Sequence, residues 1–199
     1  MYRDMATFQY FTASRIGEVA GLQWPNIDFE RRVIIIKQTC RWDMSTKAFM
    51  ELNPHPKNKE ERHIYMTDEL AEILQRMAVF RIEGNNFVFH LNGKPLNYST
   101  IQINFKTAQR RAKIPHTGTH MLRHEMATLA RHVFGGLDGA IAMTGHKDYK
   151  LADHYSKDLG SLQKEVSVKV MAHIKQYEQS KNIKLGKGKT PQLHPPKRN

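Results

Sequence analysis

The chain has 199 residues, of which 31 are lysine or arginine and 19 are aspartate or glutamate, giving a formal net charge of +12 at pH 7. This length suits one domain with a sizeable hydrophobic core, and the positive charge favours a polyanionic partner such as nucleic acid over the alternative that it only keeps the protein soluble. The single cysteine, Cys40, excludes an internal disulfide, and no apolar run reaches the length of a membrane span, so we expect a cytoplasmic protein without membrane association.

Two helices are predicted at the N-terminus. The first covers the apolar stretch 5–11, and the second begins near Arg15 and ends at Gly21. Arg15 and Glu18 are three residues apart, so they share one face of the second helix and the carboxylate can orient the guanidinium. Taken alone, such a pair is most often a solvated surface pair.

Three short strands are predicted in the next part of the chain. The β-branched run 33–36 and the segment 63–66 are typical of strands, and 87–89 is a further short apolar run. The irregular segment before the second strand brings Lys57 and Lys59 to a turn. Lysines on a turn are by default solvated, so this position by itself indicates no function.

Two helices are predicted around the third strand. One follows Thr67 and carries an apolar stripe at helical spacing, and the other is expected to be capped by Ser99. Arg110, Arg111 and Lys113 end the second of these helices. Cations there suit the helix dipole and could equally contact the phosphates of a nucleic acid.

A helix that begins at His120 opens the most informative stretch. His120 and Arg123 point the same way at a helix N-terminus, whose unpaired N–H groups favour anions. A short helix then ends at Gly145, so that His146 projects from its end, and Tyr155 lies on the next helical stretch. Taken one at a time, these residues have commoner explanations as an ion pair, hydrogen-bonded histidines and a packed tyrosine.

The C-terminal part begins with an amphipathic segment and ends in a basic tail. Val166, Val170 and Ile174 form an apolar stripe that can pack against the same domain or against a neighbouring protomer. The last residues are basic and rich in proline and contain no acidic side chain. We predict one domain over 1–178 and a disordered tail over 179–199.

The order of these polar residues resembles the catalytic domain of the tyrosine recombinases of the phage-integrase family. That family shares an arginine in a Gly-Leu-Arg-x-x-Glu-Leu helix start, a hairpin lysine, a His-x-Leu-Arg-His box, a Leu-Gly-His box and a tyrosine about nine residues later. The resemblance covers about residues 2–175. Its matching segments are Ala13-Ser14-Arg15-Ile16-Gly17-Glu18-Val19, His120-Met121-Leu122-Arg123-His124 and Thr144-Gly145-His146, with Tyr155 nine residues beyond His146.

The resemblance implies a fold and an activity. The fold is α+β and mainly α-helical, that of the DNA breaking-rejoining catalytic domain, with a small antiparallel β-sheet on one edge. The activity is that of a site-specific recombinase or integrase of a phage or other mobile element, in which Tyr155 attacks a DNA phosphate to form a 3′-phosphotyrosyl bond. The family uses no cofactor, and the sequence shows no metal-ligand cluster.

The resemblance also assigns roles to the other polar residues. His120 is the candidate proton acceptor for the tyrosine, while Arg15, Arg123 and His146 contact the phosphate oxygens.

The remaining roles concern the leaving group and the supporting residues. Lys57 is the general acid, with Lys59 as the second choice. Glu18 positions the first arginine, and His124 positions its helix.

The expected partners are double-stranded DNA at a specific recombination site and other protomers, forming a tetramer in the synaptic complex within a bacterial host and its nucleoid. Because only 14 residues precede Arg15, we expect a C-terminal catalytic fragment without the family's core-binding domain. Two alternatives remain open. One is a type IB topoisomerase, and the other is a non-catalytic DNA-binding module of the same fold.

Overall fold

The computed structural model describes residues 1–54, 61–145 and 159–182. This part of the chain is mainly helical with small antiparallel sheets, which confirms the predicted fold class. Within it, no helix combines the length and the apolar character that crossing a membrane requires. Four of the predicted site residues lie outside the described residues, namely Lys57, Lys59, His146 and Tyr155.

The helices of the described residues follow the predicted order. They are α1 (Tyr2–Thr12), α2 (Ile16–Ala20), α3 (Asp68–Ala78), α4 (Tyr98–Arg111), α5 (His120–Phe134), α6 (Leu137–Thr144) and α7 (Leu159–Lys181). A short 3-10 turn also precedes the first strand, at Trp24–Asn26.

The strands of the described residues pair only in the antiparallel sense. They are β1 (Ile27–Asp28), β2 (Val33–Ile36), β3 (Thr39–Trp42), β4 (Phe49–Asn53), β5 (Arg62–Tyr65), β6 (His90–Leu91) and β7 (Lys94–Pro95). One sheet has the order β1-β2-β5, and β3-β4 and β6-β7 are separate two-stranded sheets. In the first sheet Ile34 pairs with Ile64, which puts two buried side chains in the core.

One strand prediction is wrong, and one hairpin was missed. The apolar run 87–89 is not a strand: Phe87 makes only an isolated bridge to Gln23, and the strand lies at His90–Leu91. Val88 and Phe89 are both buried, so the run marks core packing and not pairing. The hairpin of β3 and β4 was not predicted, because its polar and half-buried side chains give no clear alternation.

Capping of α4 also differs from the prediction. The helix begins at Tyr98 with Asn97 at its N-cap, two residues before Ser99. The Asn97 side chain accepts a hydrogen bond of 2.9 Å from the backbone N–H of Phe49. The asparagine therefore fastens the start of α4 to β4, a long-range contact that local capping preferences do not indicate.

The last helix packs within its own domain. Val166, Val170 and Ile174 are buried, and α7 contacts α5, α6 and β5. The structure therefore favours packing in the same chain over the alternative on a neighbouring protomer. Its last turn includes the first positions of the predicted tail, and 183–199 lie outside the described residues.

A largely buried ion pair joins α1 to α3. Arg76 donates from Nε at 2.9 Å and from Nη2 at 2.7 Å to Oδ1 of Asp4, whose side chain is almost fully buried. We expect Arg76→Gln to lower the free energy of unfolding by about 2 kcal/mol, the scale of a lost charge-assisted hydrogen bond in the interior.

Urea denaturation measures this change, and Arg31→Gln is its control. Arg31 pairs with Asp28 at 3.7 Å on the surface, with 85% of its side chain exposed. Exposed ion pairs contribute little to stability. Arg31→Gln should therefore leave the free energy of unfolding within about 0.5 kcal/mol of that of the unsubstituted protein. Equal losses in the two variants would contradict a stabilising role for the buried pair.

Candidate active site

Arg15 lies at the junction of α1 and α2. Ala13 ends α1 in the left-handed conformation with φ 48°, and Arg15 is the N-cap of α2. The Glu18 carboxylate accepts two hydrogen bonds of 2.9 Å from Arg15, one from Nη1 and one from the backbone N–H. Because Glu18 is only 3% exposed, the pair is not the solvated surface pair that the sequence favoured when taken alone. The carboxylate fixes the guanidinium at the start of the helix.

Arg123 is buried in the first turn of α5, with 3% of its surface exposed. Its Nη1 donates to the carbonyl of Ala13, and its Nη2 donates to the carbonyl of Thr144 at 3.0 Å. These bonds join α5 to the end of α1 and to the end of α6. A guanidinium has five N–H donors in a fixed plane, so holding two carbonyls is compatible with contacting a phosphate.

The charge of Arg123 survives its burial. Burial, followed by the positive charges of Arg62 and Arg15, lowers the pKa of Arg123 to about 10. The group therefore remains protonated at neutral pH. A cation in this position strengthens the local field for an anion, because the interior screens charge less than water does.

His120 and His124 lie one turn apart on α5. Their rings meet edge to face, with the centroids 4.4 Å apart. Burial lowers the pKa of His120, and the nearby charges of His124, Arg123 and Arg15 lower it further. His120 is therefore mainly neutral at pH 7, which is the form that accepts a proton.

Arg62 is a site residue that the sequence interpretation missed. It opens β5 on the same strand face as the buried Ile64, since alternate residues of a strand point the same way. A charged residue on the buried face of a strand is the signal that could have identified it.

Glu18 is shared between two arginines. Its carboxylate also accepts a bond of 3.4 Å from Nη2 of Arg62. Burial alone would raise the pKa of Glu18, but Arg62 and the hydrogen bonds from Arg15 hold that pKa below its ordinary value. The group is therefore a carboxylate at neutral pH.

Gln9 is a second residue that the sequence interpretation missed. Its Nε2 donates to the carbonyls of Ser14 and Thr119, both at 3.2 Å. These two residues come directly before Arg15 and His120, so one buried amide holds together the starts of the two helices that carry them. Its signal in the sequence was a polar side chain inside the apolar stretch of α1.

The predicted DNA-backbone candidates lie at the end of α4. Arg110, Arg111 and Lys113 are exposed there. Arg111 also lines a groove of about 340 Å³ between α1 and α4, together with Ile16 and Thr119. The cationic end of α4 therefore adjoins the starts of α2 and α5. In the described ranges no group of three or more His, Cys, Asp or Glu side chains could hold a metal ion.

The chain matches the family described as "Phage integrase family" over residues 1–160. Among curated proteins it is 24% identical over 154 residues to a putative integrase/recombinase of Haemophilus influenzae, covering 76% of this chain and 36% of that protein. It is 28% identical over 135 residues to the transposase of transposon Tn916 from Enterococcus faecalis, covering 59% and 32%. The chain thus spans about a third of the length of these relatives.

Solved structures show the same fold. The Tn1549 transposon integrase in complex with a circular intermediate DNA superposes with a TM-score of 0.61 at 24% identity, over 76% of this chain and 52% of that one. The XerH site-specific recombinase bound to its difH substrate gives a TM-score of 0.55 at 17% identity, over 80% and 43%. At these identities the likeness concerns the fold alone.

Proposed function

The chain belongs to the phage integrase family, and from this premise we propose that it is a site-specific recombinase that cleaves and rejoins DNA through a 3′-phosphotyrosyl intermediate. Such a reaction would integrate or excise a phage or other mobile element. One observation carries the proposal beyond the family. The buried Arg123 donates to the carbonyl of Ala13, two residues before Arg15, so two guanidiniums are held on adjoining elements.

Two guanidiniums so arranged suit a phosphodiester that gains negative charge during reaction. Arg15 and Arg123 bind non-bridging oxygens of the phosphate, and His146 donates a third hydrogen bond to it. Preorganised donors of this kind are most effective where water is excluded and the donors need not reorganise. The hydrogen bonds of Glu18 and of the backbone carbonyls keep the two arginines in place before DNA arrives.

The covalent step exchanges one phosphate ester for another. The Tyr155 oxygen attacks the phosphorus, the P–O3′ bond is kept, and the P–O5′ bond breaks. His120 takes the tyrosine proton, and the leaving 5′-oxygen takes a proton from Lys57, or from Lys59 as the second choice. A tyrosine of ordinary pKa is only about one part in a thousand ionised at pH 7, so the acceptor and the cations are both needed.

Attack by the 5′-hydroxyl of another strand reverses these steps and completes the exchange. The energy of the broken ester is kept in the protein–DNA bond, so no external cofactor is required. We propose that double-stranded DNA and further protomers, assembled as a synaptic tetramer, are the partners. The structures of the Tn1549 integrase and of XerH are themselves DNA complexes, which supports the choice of DNA.

DNA binding by this chain should depend steeply on salt, because cations on the protein displace counterions from the phosphates. With about six phosphate contacts, affinity falls about 1000-fold between 50 and 200 mM salt. Replacing Arg110, Arg111 and Lys113 together by glutamine should flatten the slope of log affinity against log salt by about 2 to 3. Fluorescence anisotropy with a duplex at several salt concentrations measures this slope, and Arg31→Gln is the control. An unchanged slope in the triple variant would remove these residues from the interface.

A nicked duplex tests the proposed activity. The duplex carries the crossover site of the element that encodes this chain, and the nick lets the short strand diffuse away after cleavage, so the covalent intermediate accumulates. We expect a protein–DNA species that survives denaturation. Plasmid relaxation without recombinant products would indicate a type IB topoisomerase, while binding without any adduct would indicate a non-catalytic module.

A further inference from the structure

Arg62 binds the same two helix ends as Arg123, one residue earlier in each. Its Nη1 donates to the carbonyl of Thr12 at 3.1 Å and to the carbonyl of Met143 at 2.8 Å. The carbonyls held by Arg123 belong to the next residue along the chain in both cases. Two arginines from β5 and α5 thus join the C-terminal ends of α1 and α6. Helix C-termini carry carbonyls without intrahelical partners, and buried carbonyls need donors.

The second nitrogen of Arg62 reaches the start of α2. Its Nη2 donates to Oγ of Ser14 at 2.6 Å and to Oε2 of Glu18 at 3.4 Å. Glu18 is also the carboxylate that orients Arg15. One guanidinium therefore connects the element that carries Arg15 to the end of α6.

A glycine at the end of α6 leaves room for the Arg62 side chain. Gly145 closes the helix in the left-handed conformation with φ 66°. A Cβ at this position would lie 2.5 Å from Cδ of Arg62. The arginine side chain therefore occupies the space that the Cβ of any other residue would need. The chain then continues directly to His146.

We propose that Arg62 is a positioning residue for the strand-transfer reaction. It holds the junction of α1 and α2 against the end of α6, and so sets where Arg15 lies relative to the carbonyls of Met143 and Thr144. The inference rests on the proposed function, since positioning matters only if these residues act on one phosphate. The planar fork of arginine fits four separate acceptors, which the single ammonium of lysine does not.

The first test compares cleavage with stability in the full chain. Arg62→Gln should slow single-turnover adduct formation on a saturating nicked duplex by about 100-fold, the scale of an ångström-sized displacement of catalytic groups. The dissociation constant for the same duplex should not change. Arg62→Lys should be slowed similarly, because charge alone does not rebuild the contacts.

The control for this comparison is Arg76→Gln. It removes another partly buried arginine of the domain, the one that joins α1 to α3 through Asp4. We expect it to lower the unfolding temperature while leaving the cleavage rate unchanged. If Arg62→Gln and Arg76→Gln slow cleavage equally once their stabilities are matched, Arg62 is only structural and the inference fails.

A sulfur leaving group separates two routes by which Arg62 could act. In a duplex with a bridging 5′-phosphorothiolate the thiolate departs without a proton, so cleavage no longer needs the general acid. We expect Arg62→Gln to remain slow on this substrate, because the defect lies in the placement of Arg15 and the end of α6. A rate restored by sulfur would overturn this assignment and place the effect on Lys57.

Amide hydrogen exchange without DNA tests the contact independently of activity. Arg62→Gln should accelerate exchange in 16–20 and 141–145, whereas Arg76→Gln should leave both segments unchanged. If the unsubstituted protein forms no adduct, the proposed function fails, and exchange still decides whether Arg62 joins these elements. Unchanged exchange in Arg62→Gln would overturn the inference even if the protein is an active recombinase.

Discussion

Tyr155→Phe is expected to abolish the covalent protein–DNA adduct. The substitution keeps the aromatic ring and removes only the oxygen that bonds to phosphorus. Packing and charge are otherwise unchanged, so DNA affinity and folding should match those of the unsubstituted protein. The measurement is a denaturing gel of the nicked-duplex reaction, with a native gel of the same samples to show that the DNA is still bound.

Tyr177→Phe is the matched control for this variant. Tyr177 lies on α7 and is 51% exposed. Its hydroxyl has no role in the proposed chemistry, so its adduct yield should equal that of the unsubstituted protein. The chain has seven tyrosines. An adduct that persists in Tyr155→Phe would therefore assign the nucleophile to another of them and overturn this part of the proposal.

Arg123→Met should have the second largest effect, because it acts on both chemistry and stability. Loss of a guanidinium from the phosphate should slow cleavage by about 1000-fold, the upper range for removal of one preorganised donor. The carbonyls of Ala13 and Thr144 also lose a buried charged donor. We expect the free energy of unfolding to fall by about 2 to 3 kcal/mol.

The two effects of Arg123 are separated by measuring cleavage well below the unfolding temperature. Urea denaturation gives the stability loss, and Arg76→Gln provides a variant of comparable stability with an intact site. Arg123→Lys keeps the positive charge and should recover part of the cleavage rate. If the rate of Arg123→Met falls only in proportion to the unfolded fraction, the residue has no direct role on the phosphate.

The local part of the candidate site was predictable because helix geometry determines it. A spacing of three residues brings the Glu18 carboxylate back to Arg15, the N-cap of α2, and puts His120 and Arg123 within one turn of α5. The turn at Asn92 and Gly93, which joins β6 to β7, also follows from local residue chemistry. Both residues have positive φ, which asparagine and glycine adopt most readily.

Burial was predicted less well than helix position. The apolar residues of α5 predict a buried stripe of Leu122, Met126, Leu129 and Val133. Only Met126 of these is fully buried, and the other buried positions are Arg123 and Ala130. An apolar pattern finds the face of a helix, but it does not identify an arginine whose buried partners are carbonyls from two distant elements. Those partners come from 110 and 21 residues away in sequence.

By itself the sequence determined the family, the mainly helical class and the spacing of the polar residues within each helix. These depend on composition, on local periodicity and on motifs that are continuous in the chain. Only the tertiary structure decided that α7 packs within its own domain, and that Gln9 and Arg62 join the elements that carry Arg15, His120 and Arg123. The physical reason is that a buried donor is satisfied by whichever carbonyls packing brings within about 3 Å. No periodicity along the chain indicates which carbonyls will accept these hydrogen bonds.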